Sequence, residues 1–197
     1  MRSRSLTAWA AVLGLGLATG TALAASAVDG YNVAVDETGN LRVPDVDYRA
    51  TWALLGSWVG TGGEKVDGKE GAAYLHVVYT QPGVIEQYRD TGKFPDGAVL
   101  VKELLKAKTN TMTTGVVSHA TELEGWFVMV KDAKGRFTDN KLWGDGWGWA
   151  QFDVDSPTRT KTSDYKTECL GCHVPAKDTD WSYTYGYAAL SGPAVKP

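Results

Sequence analysis

With 197 residues, 43 % hydrophobic and 22 % charged, the chain has the size and composition of one globular domain able to bury a core. Its 23 acidic residues outnumber its 20 basic ones, a formal net charge of −3 that argues against a nucleic-acid partner. No internal repeat or low-complexity linker divides it.

Residues 1–24 read as a secretory signal peptide. Arg2 and Arg4 begin it, an apolar run extends from Ala8 to Ala18, and Ala22-Leu23-Ala24 supplies an A-x-A cleavage site. The run is shorter than the roughly 20 residues that cross a bilayer, so cleavage near Ala25 is expected rather than a retained anchor, and no later segment is apolar enough to span. The domain is then 25–190, with 191–197 a mobile tail. Loss of Arg2 and Arg4 leaves a net charge of about −5.

Along the domain, Tyr48, Trp52, Leu55 and Val59 recur at helical spacing after Pro44, with Asp45 or Asp47 as N-cap, and predict a helix over 46–59. Residues 73–80 alternate as a strand, Tyr74, His76 and Val78 on one face and Leu75, Val77 and Tyr79 on the other. Pro82, Val84, Ile85, Tyr88 and Gly92 describe a short helix with a glycine cap. Phe94-Pro95-Asp96-Gly97 is a turn into a strand over 98–106, and strands follow over 125–131 and 147–152. A short helix over 164–173 ends the series. Successive strands flanked by a few helices give an α+β class, β-rich, with an antiparallel sheet.

That last helix carries Cys169-Leu170-Gly171-Cys172-His173, which holds both cysteines. Two thiols in C-x-x-C-H spacing add across the two vinyl groups of a porphyrin, and the adjacent imidazole reaches the iron. Zinc would need further Cys or His ligands nearby, and a thioredoxin-like pair would follow a buried strand, whereas residues 160–168 are polar. The motif therefore points to one covalently attached haem c with His173 as the metal ligand. Export agrees, because bacterial c-type attachment takes place outside the cytoplasm.

Tyr79-x-x-Pro82, Tyr88 to Gly92, the run Phe94-Pro95-Asp96-Gly97-Ala98-Val99-Leu100-Val101-Lys102-Glu103-Leu104, Val130-Lys131-Asp132 and Glu168-Cys169-x-x-Cys172-His173 follow one another in an order that resembles the cytochrome P-460 family. The resemblance covers about 31–190 and includes Gly39-Asn40-Leu41-x-x-Pro44. It implies a periplasmic monohaem protein, β-rich and homodimeric, with five-coordinate iron. It also implies that Lys102 is cross-linked through its side-chain nitrogen to a porphyrin meso carbon. The expected activity is oxidation of hydroxylamine, with nitric oxide as a co-substrate and a soluble electron-transfer partner. The sister cytochromes c′-beta share the fold, lack the cross-link and bind nitric oxide at an apolar distal face.

Without the resemblance, Lys102 shares a strand face with Ala98, Leu100 and Leu104, and its plain reading is an edge-strand lysine reaching water. Family members that oxidise hydroxylamine resemble one another in a distal glutamate just upstream of Val-Lys-Asp. Ungapped alignment places Phe127 there, and a local gap would substitute Glu122 or Glu124. Phe127 also reads as an ordinary core residue. His76 reads as a buried or hydrogen-bonded histidine, His119 as exposed, Met129 as core and Met112 as a loop residue; ligation by Met112 or His76 would mark a simple electron carrier. Of Trp147 and Trp149, one is expected to face inward and the other to cover a partner subunit. Glu122 with Glu124 and Asp178 with Asp180 read as solvated charges.

Overall fold

In the computed structural model, which describes residues 31–191, six strands form one sheet in the order β1-β2-β3-β4-β6-β5, every neighbouring pair antiparallel. They are β1 (Ala53–Val66), β2 (Lys69–Thr80), β3 (Val99–Met112), β4 (Gly115–Lys131), β5 (Trp143–Gly144) and β6 (Trp147–Asp153). Short helices α1 (Tyr31–Ala34), α2 (Tyr48–Thr51), α3 (Val84–Thr91), α4 (Tyr165–Glu168) and α5 (Leu170–His173) lie around it. The fold is α+β, as its alternating segments predict. The expected signal peptide and residues 192–197 of the expected tail lie outside the described residues, and among those described no helix is long and apolar enough to cross a membrane.

Alternation along the central strands divides the interior in two. Val99 and Val101 of β3 join Val128 and Val130 of β4 and Phe152 of β6 on one face, beneath Val35, Leu41 and Val43. Ala98, just before β3, joins Leu100 of β3 and Trp147 and Trp149 of β6 on the other face, beneath Phe94, Tyr165, Trp181 and Tyr187. A strand's period of two thus builds two cores from one sheet. The first is tied down by Glu103, buried on β3, whose Oε1 accepts from the Tyr48 hydroxyl (2.7 Å) and Arg49 Nε (2.6 Å). Trp126 Nε1 donates in turn to the Tyr48 oxygen at 2.8 Å.

Three local expectations change. The helix over 46–59 is only α2, with Asp47 as N-cap, and β1 begins at Ala53. Val59, the last residue of the supposed stripe, is 58 % exposed. Four glycines between 56 and 63 make this stretch a poor helix, and pairing with β2 satisfies its backbone instead. The helix over 164–173 is two single turns broken at Cys169, whose φ of −122° leaves the helical region. Trp147 and Trp149 are 0 % and 1 % exposed, so both face inward and neither covers a partner. Gly144 makes the tight packing possible: a Cβ there would lie 2.0 Å from the Tyr165 hydroxyl oxygen. The short helix before Gly92 is α3, and Gly92 caps it at φ 69°.

Candidate functional site

The C-terminal segment lies over the second core and leaves a cavity of about 290 Å³ between itself and the sheet. Leu100, Phe127, Met129 and Trp149 make the sheet side apolar, and Cys169, Cys172 and His173 stand on the opposite wall. A groove of about 310 Å³ adjoins it, lined by Trp58, Tyr74 and His76; Lys102, Tyr183 and Tyr187 border both spaces.

Lys102 is not at an edge. β3 lies between β2 and β4, and Lys102 is paired with Val78 on one side and Phe127 on the other. Its Nζ is 4.4 Å from the centre of the Phe127 ring. Burial pushes the amine below the ordinary lysine range, with the Cys172 and Cys169 sulfurs acting against that shift. Desolvation makes a lysine easier to deprotonate and so favours it as a nucleophile, unlike the water-facing cation of an edge strand.

His173 closes α5 and is held from two sides. Its Nδ1 lies 2.7 Å from the Trp181 carbonyl oxygen, which can only accept, so the proton is on Nδ1 and Nε2 keeps its lone pair. The ring meets Trp149 edge-on at 4.9 Å. Burial lowers the imidazole pKa, the Trp181 bond opposes that, and Lys102 adds to it. A neutral imidazole with a fixed tautomer is the metal-binding form. α4 is set by the Asp164 N-cap, whose Oδ1 accepts from Lys166 N at 3.0 Å, and Tyr165 stacks on Trp149 at 5.9 Å. The Tyr183 hydroxyl donates to the Cys172 carbonyl and fixes the end of the motif.

Phe127 faces the cavity opposite Lys102, and neither nearby glutamate replaces it. Glu122 is exposed and paired with Lys106 at 2.8 Å. The register shifts between Leu104–Gly125 and Leu105–Leu123, leaving exposed Glu124 as the unpaired residue. Glu168 reaches the cavity wall, but its carboxylate is occupied by the Ser163 hydroxyl (2.6 Å) and N–H (3.1 Å). His76 lines only the adjoining groove, stacked on Tyr74 at 4.7 Å, with its pKa lowered to about 4 by burial and then by Lys102. His119 and Met112 are exposed on the outer β3–β4 hairpin, and Met129 borders the cavity.

The family model of cytochrome P460 matches residues 46–184, from just before α2 through the Tyr183 wall of the cavity. The chain belongs to the cytochrome P460 family. No curated protein matches it. A cytochrome P460 is a c-type cytochrome containing one covalently bound haem c. The residues here fit that group: two thiols, an imidazole with a free Nε2, and an apolar space whose two compartments have the size of a cofactor pocket. Tyr183, Tyr187 and Trp181 complete the site of this cytochrome P460, and no linear motif marks them. Asp180 is buried, contrary to its reading as a solvated charge.

Proposed function

We propose that this cytochrome P460 is a periplasmic oxidoreductase acting on hydroxylamine, with nitric oxide as an accompanying substrate. Cys169 and Cys172 carry the porphyrin as thioethers, His173 binds the iron, and Lys102 is a third covalent tether. The observation that carries the reading is Lys102, a half-buried lysine in the middle of the sheet, its pKa lowered by desolvation, that borders the cavity of the two cysteines. Its bond to a meso carbon replaces one N–H and one C–H hydrogen, and the two electrons and two protons leave to an oxidant of the peroxide class.

Bound haem c supplies an open iron position and one-electron steps, tuned by its axial ligand and surroundings. The chain's own residues do the rest. His173 is oriented by donation to Trp181, which raises the basicity of Nε2. Leu100, Phe127 and Met129 exclude water from the sheet side. Phe127 offers no proton relay, so the proton released by substrate leaves by the Tyr183 and His76 side, where the groove opens. Electrons leave to a soluble carrier. Leu54 and Val59, 54 % and 58 % exposed on edge strand β1, support a homodimer.

The test is hydroxylamine-dependent reduction of an artificial electron acceptor by the wild type and by Lys102→Leu. Turnover by the wild type, lost in a variant that still holds haem, is the expected result; no turnover by either contradicts the reading. Phe127 favours a second one, a nitric oxide binder of the cytochrome c′-beta kind. That alternative predicts nitric oxide binding by the wild type and no acceptor reduction.

A further inference from the structure

Between Ala176 and Ser182 the chain makes a turn that the haem motif alone does not require. Asp180 and Trp181 adopt consecutive left-handed conformations, φ 57° and 65°. That region is uncommon for any L residue and most unusual for a bulky one. The turn delivers the Trp181 carbonyl to His173 Nδ1 at 2.7 Å, while Trp181 N–H returns to the Ala176 carbonyl at 2.8 Å.

Asp180 holds this conformation from a buried position. Its Oδ1 is 2.6 Å from Lys131 Nζ and its Oδ2 accepts from Phe94 N–H at 2.9 Å, with side-chain exposures of 11 % for Lys131 and 5 % for Asp180. Lys131 is the last residue of β4, and its own backbone is fastened on both sides. Its N–H donates to Ala98 O (2.7 Å) and its carbonyl accepts from Gly97 N–H (3.0 Å). Its ammonium also lies 4.8 Å from the centre of the buried Trp147 ring. The carboxylate one residue before the imidazole's partner is therefore pinned to the sheet.

We propose that the buried Lys131–Asp180 pair is a positioning device for the proximal ligand. By fixing the Asp180–Trp181 turn it sets how strongly His173 Nδ1 donates, and through Nε2 it sets the iron–histidine bond and the reduction potential. The inference rests on His173 as the iron ligand. A pair serving only to stabilise the fold would change the melting temperature and leave the iron untouched. A positioning pair changes the bond, because weaker donation from Nδ1 makes Nε2 a weaker ligand and favours the reduced iron.

The experiment compares full-length haem-loaded wild type, Lys131→Arg, Asp180→Asn and the double variant Lys131→Met/Asp180→Asn. The double variant leaves no unpaired buried charge, and Asn tolerates the left-handed conformation at 180. The readouts are the iron–histidine stretching band of the ferrous protein by resonance Raman and the midpoint potential. The double variant should show the band at lower frequency and a higher potential, Asp180→Asn a smaller change in the same direction, and Lys131→Arg values near those of the wild type. A folded double variant with band and potential equal to wild type overturns the proposal. If the double variant does not fold, the isosteric Asp180→Asn decides alone, and absence of a shift in it is equally fatal. A wild type whose ferrous haem is five-coordinate and high-spin yet shows no iron–histidine band overturns instead the assignment of His173.

Discussion

Replacing Phe127 by glutamate tests the site most severely, because it puts a proton acceptor at the place where the sheet now offers only a hydrocarbon ring. The replaced ring has its centre 4.4 Å from Lys102 Nζ. If Lys102 were a free cation, the new carboxylate would gain about 4 kcal/mol from it at an effective dielectric of ~20, enough to hold its pKa low. A lysine bonded to the porphyrin edge is a neutral arylamine-like nitrogen and gives no such pairing. The carboxylate then lies in an apolar cavity without a counter-charge, and burial raises its pKa above the ordinary value of about 4.3. A positioned general base is worth ~10²–10⁴ in rate, or about 3–5 kcal/mol of barrier. Phe127→Glu should therefore turn hydroxylamine over at least ~10²-fold faster than wild type once the pH exceeds that raised pKa. Its pH profile should carry a rising limb that the wild type lacks. Stopped-flow acceptor reduction across pH, run beside a thermal melt, reads both quantities. An unchanged rate in a well-folded variant refutes the placement of Phe127 beside the substrate, and rapid wild-type turnover shows that another group already relays protons.

Lys102→Leu should fold and retain haem through its thioethers but show the optical spectrum of an ordinary c-type cytochrome; spectra identical to wild type would reduce the lysine to a packing residue. Glu103→Gln weakens the bonds from Tyr48 and Arg49 to a buried carboxylate, and urea unfolding should show a loss of about 1.5–3 kcal/mol. Gly144→Ala places a Cβ 2.0 Å from the Tyr165 hydroxyl, so the Tyr165 ring must shift, with an expected cost of about 1–3 kcal/mol and a lowered melting temperature. His76 stays neutral in the folded protein down to about pH 4, whereas in the unfolded chain it takes up a proton below about pH 6.5. The unfolded state binds more protons in that window, so stability should fall as pH drops from about 6.5 to 4, and His76→Phe should flatten this part of the profile.

The strands facing the cavity were readable because alternation survives in residues that bury one side. Lys102 with Leu100, and His76 with Val78, share faces as their spacing requires. The outer halves of β3 and β4 were not readable: from Lys106 to Glu124 Thr109 alone is buried, so no alternation marks an inner face, and only their pairing makes them strands. The helix expected over 46–59 failed because Tyr48, Leu55 and Val59 match a helical stripe by coincidence. They belong to the first core, the second core and the solvent respectively. Cys169, Cys172 and His173 were legible as a local motif whose chemistry requires adjacency. Their support was not, since Trp181, Tyr183 and Asp180 act through a turn and a carbonyl, and the partners Lys131 and Asp180 stand 49 residues apart. Burial of Asp180 depends on that distant lysine, which no local pattern announces.

The central claim is that one porphyrin joins the C-x-x-C-H turn to the middle of the sheet, and mass spectrometry of tryptic peptides from the denatured protein tests it most directly. A tethered Lys102 resists trypsin, so peptide 94–106 should survive uncut and appear joined through haem to peptide 167–177, in a single species with the summed mass of all three less two hydrogens. A haem-bearing 167–177 peptide beside a free 94–102 peptide would contradict the account.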